Sequence, residues 1–244
     1  MADLDSQRQI ADLRTLLEVS RQLGAVTELL PLLKQIEQAA LTILDCERVT
    51  VFLYDPNDDE LYSKVATGGA DIRFSAKLGI AGEAARARQI VIVNDAYADA
   101  RFNPAVDKKT GFHTRNLLTV PMFGHDGRVV GVLQILNKRS GPFTAVDEER
   151  ASTLALLAGV AVHRQMLIDE YAEKQRIQRD LHIAREIQQA LLPRKNPELP
   201  GYDIAGWNCP ADETGGDCFD FIRLADNCLA LMVADATGHG IGPA

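Results

Sequence analysis

Hydrophobic positions at helical spacing open the chain. Leu4, Ile10, Leu13, Leu16, Leu17 and Leu23 share one stripe, and Leu29, Leu32, Leu33, Ile36, Ala40 and Ile43 share a second over residues 28–45, with Gly24 between them. At Arg48 the period changes to two. Residues 48–54 are β-branched and aromatic, residues 55–59 (Asp-Pro-Asn-Asp-Asp) carry turn chemistry, and residues 61–66 read as the returning strand. Residues 90–93 read as a short strand, and residues 117–123 and 129–137 flank Gly124-His125-Asp126-Gly127, a second hairpin. Helical pieces fall at 82–88 and 104–109. The pattern predicts an α+β fold, an antiparallel sheet flanked by helices.

Between Thr144 and Leu192 there is no proline and one glycine, Gly159. Unbroken, that stretch is a rod of ~73 Å at ~1.5 Å per residue, a long helical connector. Its later half spaces Ile177, Leu181, Ala184, Gln188 and Leu191 as a coiled-coil seam with one polar member. An earlier seam, Leu157, Val160, Arg164, Leu167 and Tyr171, is out of phase with it, because Tyr171 and Ile177 are six residues apart. The slip is either a solvated segment or a place that absorbs torque during signalling. Such a helix implies a partner helix, most simply its own copy in a homodimer joined by the N-terminal helix. Pro193, Pro197 and Pro200 end it, and a strand-rich segment begins at Tyr202. The resulting division is 1–24, a dimerisation helix; 25–162, the sheet domain; 163–193, the connector; and 194–244, a strand-rich piece. The last 44 residues lie near the lower limit for an independent core, so the chain is expected to be a truncated part of a larger protein.

Composition narrows the function classes. With 244 residues, 46% hydrophobic and 25% charged, the chain is globular rather than disordered. The sequence offers no signal peptide and no evident spanning run, which points to a cytoplasmic protein without a membrane partner. Cys46, Cys209, Cys218 and Cys228 form no CxxC pair and are expected to be reduced, structural thiols. Of the formal net charge of −8, residues 201–244 carry −6, from seven acids and Arg223. That excludes nucleic acid as a partner and leaves the last segment in need of cations or partners to offset its repulsion.

Two constellations carry chemistry. In the first, Gly215-Gly216-Asp217 and Asp235-x-x-Gly238-x-Gly240 place carboxylates beside glycines that allow close backbone approach to an ion. Two aspartates on adjacent strands make half a site for a hard cation, Mg²⁺ or Mn²⁺. The same residues could equally just make turns. Residues 181–193 (LHIAREIQQALLP), followed by GGD and DxxGHG in order, resemble the opening of the PPM-type serine/threonine phosphatases of the bacterial sporulation and stress-response class. The resemblance implies that Asp217, Asp235 and the backbone carbonyl of Ala236 ligate a two-ion Mn²⁺ or Mg²⁺ centre, with the remaining ligands beyond Ala244. It implies a phosphoprotein substrate, an anti-anti-sigma factor among the candidates, and no catalytic residue beyond the metal ligands. Such a centre activates water for attack at phosphorus. His239 stands four after Asp235, where a structural role is expected. Cys218 stands where that family usually has an aromatic residue.

In the second constellation, residues 94–122 and 131–149 resemble GAF domains of the cyclic-nucleotide phosphodiesterase and cyclase subgroup. Asn137, Lys138, Phe143, Asp147 and Glu148 match that subgroup's N-K…F-x-x-x-D-E signature. Lys138 at a strand end and Asp147 at a helix start can pair across the loop, with Phe143 as a staple, and hold shape without touching a ligand. The resemblance implies a small-molecule effector. A cAMP or cGMP site, a site for another small molecule, and an empty dimerisation module all remain open. Residues 94–112 would form a lid, with amides near Asp95 and Ala96 open to a phosphate and Arg101 and Arg115 as charged contacts. Together the two resemblances describe a sensor that governs a phosphatase through a dimeric helix. The alternative is a ligand-binding and dimerisation module without catalysis.

Overall fold

A computed structural model describes residues 15, 17–66, 72–210, 215–225 and 228–235. The chain divides into two units, Met1–Ile168 and Asp169–Ala244.

The first unit is built on six strands: β1 (Cys46–Asp55), β2 (Glu60–Ala66), β3 (Ile72–Ser75), β4 (Val91–Val93), β5 (Leu117–Phe123) and β6 (Val129–Lys138). They order as β3-β2-β1-β6-β5-β4, and every neighbouring pair is antiparallel. Alternation sorts side chains to two faces. Val49, Val51 and Leu53 of β1, Leu133 and Ile135 of β6, and Leu118, Val120 and Met122 of β5 share one face, and all are buried.

Helix α1 (Leu29–Leu44) lays Leu32, Leu33, Ile36, Ala40 and Leu44 on that face. Four of these are Leu or Ile, each worth ~1.5–3 kcal/mol when fully buried. A long helix crosses the same face with Ala151, Leu154, Ala155, Ala158 and Val162. Gly159 allows the crossing, since a Cβ there would overlap the Phe123 carbonyl and lie 2.7 Å from the Phe123 nitrogen. Residues 17–25 are helical and add Val19 and Leu23 to this core. The opposite face is covered by α2 (Gly79–Ala87) and by the segment holding α3 (Ala105–Thr110).

The long helix, α4 (Ala145–Leu191), is unbroken through the phase slip at 171–177. By length and composition alone it is long and apolar enough to cross a membrane, a test that the core helix of a domain also passes. Part of that apolar stretch, Ala151, Leu154, Ala155, Ala158 and Val162, is packed on the sheet. The expected outer seam is redrawn. Leu157 packs on the core, and Arg164 donates to the carbonyls of Leu23, Gly24 and Val26 at 3.1–3.2 Å, capping the end of the N-terminal helix. Leu156, Val160, Leu167 and Tyr171 are among its exposed apolar positions.

Cys46 begins β1 at 1% exposure, and burial pushes its thiol up to about 12. Cys209, Cys218 and Cys228 are exposed, and none of the four cysteines is in a disulfide.

The second unit contains the hairpin of β7 (Asp217–Arg223) and β8 (Leu229–Asp235), paired in register from Asp217 opposite Asp235 to Arg223 opposite Leu229. Phe219 and Phe221 share one face of β7 with Asp217, and Gly206 leaves room for the Phe219 ring. Residues 1–14 of the expected dimerisation helix, and Ala236 and His239, lie outside the described residues.

Candidate functional site

Polar side chains under cover mark the second face of the sheet. Arg48, Thr50 and Phe52 alternate along β1, opposite Leu136, Gln134 and Val132 of β6. Arg48, Thr50 and Gln134 lie in the floor of a cavity of about 290 Å³. The start of α2 (Leu78–Ala81) forms one wall, and Phe102, Val106, Asp107 and Phe112 form the roof.

Local chemistry fixes that roof. Gly111 ends α3 at φ 70°, a left-handed position that glycine reaches without strain, and its N–H donates to Asp107 O at 2.8 Å. The chain turns back so that Thr114 meets the Asp107 carboxylate, donating from its backbone N at 2.7 Å and its Oγ1 at 2.9 Å. Tyr97 donates its hydroxyl to the same carboxylate at 3.1 Å and stacks on His113, 4.9 Å between centroids. Burial and that hydrogen bond raise the Tyr97 hydroxyl above its ordinary value.

Arg48 is half-buried. Its guanidinium lies 3.9 Å from the Phe112 ring centroid, and among the described residues it has no ion pair. Burial lowers its pKa, and the charge of Asp107 offsets this in part. Arg73, by contrast, meets Glu60 at 2.7 Å. Thr50 is 3% exposed, and Gln134 spends its Nε2 on Thr119 Oγ1 at 3.4 Å. A desolvated cation on an aromatic face, a hydroxyl and an amide within apolar walls suit a small ring-bearing molecule with an anionic group.

The five signature residues surround the cavity without lining it. Asn137 sits at φ 58°, in the left-handed region that asparagine tolerates. Its Oδ1 accepts from Arg115 N at 2.6 Å, and its Nδ2 donates to His113 O at 2.8 Å and Glu47 Oε2 at 2.9 Å. These bonds tie the returning end of the roof segment to β6. Lys138 pairs with Asp147, both side chains nearly buried at 12% and 6% exposure. Thr144 donates its N–H and Oγ1 to Asp147 at 2.8 and 2.7 Å, and Asp147 N returns a bond to Thr144 Oγ1 at 3.4 Å. That reciprocal cap starts α4. Burial pushes the Asp147 carboxyl up, but the bonds from Lys138 and Thr144 outweigh it and hold the group below its usual value. Phe143 is buried in the core, and Glu148 is half-buried in the first turn.

The expected lid contacts fall elsewhere. The Ala96 N–H donates to Arg115 O at 2.9 Å, so that amide is already used, and Asp95 caps Ala98 N at 3.3 Å. Arg101 is bound to Asp99 through Nε at 2.9 Å and Nη2 at 2.6 Å, holding that carboxyl at about 2. Arg115 meets Glu47 at 2.8 Å. None of the four lines the cavity. Among the residues that do, Arg48 and Thr50 had a sequence signal, polar side chains at i and i+2 of a strand otherwise largely apolar, and Gln134 is a polar position in the apolar run of β6; Asp107, in α3, and Thr114, in the loop before β5, had none.

In the second unit Asp217 and Asp235 are exposed and directly opposite in the β7–β8 ladder. Cross-strand partners put side chains on one face with Cα atoms ~4.5–5.5 Å apart. Two opposed carboxylates are the hard donors that Mg²⁺ or Mn²⁺ takes, so the residues present fit half of such a centre. Among the described residues no group of three or more His, Cys, Asp or Glu side chains is arranged to hold a metal.

A sheet packed on one face and roofed over a cavity on the other defines a ligand-sensing α+β class. The GAF domain family matches residues 28–162, more than half of the chain, and the chain belongs to that family. It is 30% identical over 183 residues to a probable 3',5'-cyclic phosphodiesterase of Caenorhabditis elegans, an overlap of 69% of this chain and 25% of that protein. It is 35% identical over 116 residues to a cGMP-specific 3',5'-cyclic phosphodiesterase of Drosophila melanogaster, covering 45% of this chain and 10% of that one. The chain thus spans a quarter or less of the length of these relatives. Among solved structures, the GAF domain of an Acinetobacter phosphoenolpyruvate-protein phosphotransferase superposes with a TM-score of 0.57 at 17% identity, over 66% of this chain and 98% of that one. Free methionine-R-sulfoxide reductase of Neisseria meningitidis, solved with its substrate, gives 0.56 at 20% identity over 64% and 91%. At these identities the structural likeness establishes the fold.

Proposed function

We propose that this chain is the sensor and connector of a cytoplasmic, signal-regulated protein serine/threonine phosphatase. Its cavity takes a cyclic nucleotide, cAMP or cGMP, and α4, paired with a second copy, carries occupancy to the phosphatase segment. The observation that carries the sensor reading is Arg48: a half-buried guanidinium with no carboxylate ion pair among the described residues, beside a threonine and a glutamine, where an anion-bearing ring compound would offset its charge. Relatedness to cyclic-nucleotide phosphodiesterases supports the choice of nucleotide. The exposed stripe Leu156, Val160, Leu167 and Tyr171 supports a homodimer, and four cysteines outside any disulfide fit a reducing compartment.

For the phosphatase end the support is the register of Asp217 against Asp235. When two Mn²⁺ or Mg²⁺ ions are bound, they supply charge neutralisation at phosphoryl oxygens and an activated water. The chain's own part is to hold two carboxylates on one face of a hairpin; the third expected ligand, Ala236, lies outside the described residues. The substrate is a phosphoserine or phosphothreonine protein, an anti-anti-sigma factor in the family resemblance.

Calorimetry of the chain with cGMP and cAMP should give saturable binding of one of them, lost in Arg48→Met. No heat with either overturns the nucleotide and favours a non-catalytic dimerisation module. The protein continued past Ala244 should hydrolyse a phosphoserine peptide only with Mn²⁺ or Mg²⁺, and Asp217→Asn and Asp235→Asn should each abolish this. Activity surviving both substitutions overturns the ligand assignment.

A further inference from the structure

We infer that Gln188 of α4 is a positioning residue that sets the backbone from which Asp217 projects. The inference takes its chemistry from the phosphatase reading above and its mechanics from two hydrogen bonds. Gln188 Nε2 donates to Gly215 O at 2.7 Å, and Gly215 N donates to Gln188 Oε1 at 3.3 Å. One primary amide thus occupies both the donor and the acceptor of one glycine, as a neighbouring strand would.

Gly215 stands two residues before Asp217, where β7 begins and where the ladder to β8 has not yet started. Downstream, the strand is fixed by the ladder and by Asn208 Nδ2, which donates to Asp217 O at 2.8 Å. Upstream, the Gln188 clamp tethers the segment to the helix. The carboxylate therefore sits between a hold from the hairpin and a hold from the connector.

The residue also answers a question posed by the sequence. Gln188 is the one polar member of the seam Ile177, Leu181, Ala184 and Leu191. A polar residue in such a seam commonly sets register against a partner helix. Here its amide is spent on the chain's own backbone. Hydrogen bonds weaken steeply beyond their normal range, so a turn of α4 by a fraction of the ~100° between residues, or a slide of ~1 Å, releases Gly215. Helix movement and Asp217 placement are coupled as a latch rather than as a spring.

Two measurements on the chain test this, with Gln188→Leu and with Gln188→Glu, which keeps an acceptor for Gly215 N and loses the donor. Amide hydrogen exchange read by NMR should quicken about tenfold at Gly215 in Gln188→Leu and less in Gln188→Glu, the size expected for one lost hydrogen bond. Exchange at Phe221 and Val233 in the hairpin should not change. Titration with Mn²⁺ alone should broaden the Cys218 amide signal, and Gln188→Leu should need several-fold more Mn²⁺ for the same broadening, with Gln188→Glu between. Unaltered exchange at Gly215 overturns the clamp. Faster exchange with an unaltered Mn²⁺ requirement overturns the positioning role. If Mn²⁺ leaves the wild-type signal sharp, the metal-ligand assignment of Asp217 fails instead, while the exchange result still decides the clamp.

Discussion

Lys138 and Asp147 illustrate how a signature can be structural without touching a ligand. Two opposite charges at 12% and 6% exposure have lost most of their hydration, and the pair survives because Thr144 supplies the remaining donors to the carboxylate. Breaking one side costs far more than the pair contributes. Lys138→Met should destabilise the first unit by ~3–5 kcal/mol, and the double change Lys138→Met with Asp147→Leu should recover much of it, as read by urea denaturation. Because the folded carboxyl of Asp147 is held below its unfolded value, its contribution is present above that unfolded value, ~3.9, and is lost as pH falls through the folded one. Acid unfolding followed by circular dichroism should lose that low-pH component in Asp147→Asn. Arg48 predicts the opposite trade. Its burial opposes the charge, so Arg48→Met should leave the melting temperature unchanged or raised while removing ligand binding.

At the scale of elements, sequence pattern located most strands and helices because alternation and helical spacing are local. The expected strand 117–123 coincides with β5, and the expected helix 28–45 contains α1. Strand β3 escaped notice, since four residues, Ile72–Ser75, give one alternation and no long apolar run. The expected helix 82–88 starts three residues later than α2 does. Gly79 opens the helix at φ 70°, and Gly82 is required by the Ala76 carbonyl beside it. Gly159 shows a tertiary demand overriding propensity. Alanine is the better helix former by ~1 kcal/mol, yet its Cβ would overlap backbone atoms of Phe123. Gly159→Ala should therefore lower the urea midpoint, by a net ~1–3 kcal/mol of overpacking.

For the whole molecule, what remained unreadable was long-range pairing. The placement of β1 beside β6 rests on residues some 85 positions apart, Val49 with Ile135 and Val51 with Leu133, and no local pattern encodes it. The cavity depends on that placement, which is why Arg48 and Gln134 could not be joined from sequence while the signature between 137 and 148 could be. The family match begins at residue 28, but Val19 and Leu23 belong to the same core as α1. A protein begun at Glu28 should be less stable than one begun at Met1 by ~1.5–3 kcal/mol for each of the two lost side chains, measured by thermal unfolding.

The thiol of Cys46 gives the first unit a built-in clock. Pushed up to about 12 and enclosed at the start of β1, it is overwhelmingly protonated near neutrality and shielded from alkylating reagents. Cys209, Cys218 and Cys228 are open to solvent. Labelling should therefore proceed in two stages, three sulfurs promptly and the fourth only as often as the sheet opens. The slow stage then times that opening directly, and an occupied cavity should lengthen it.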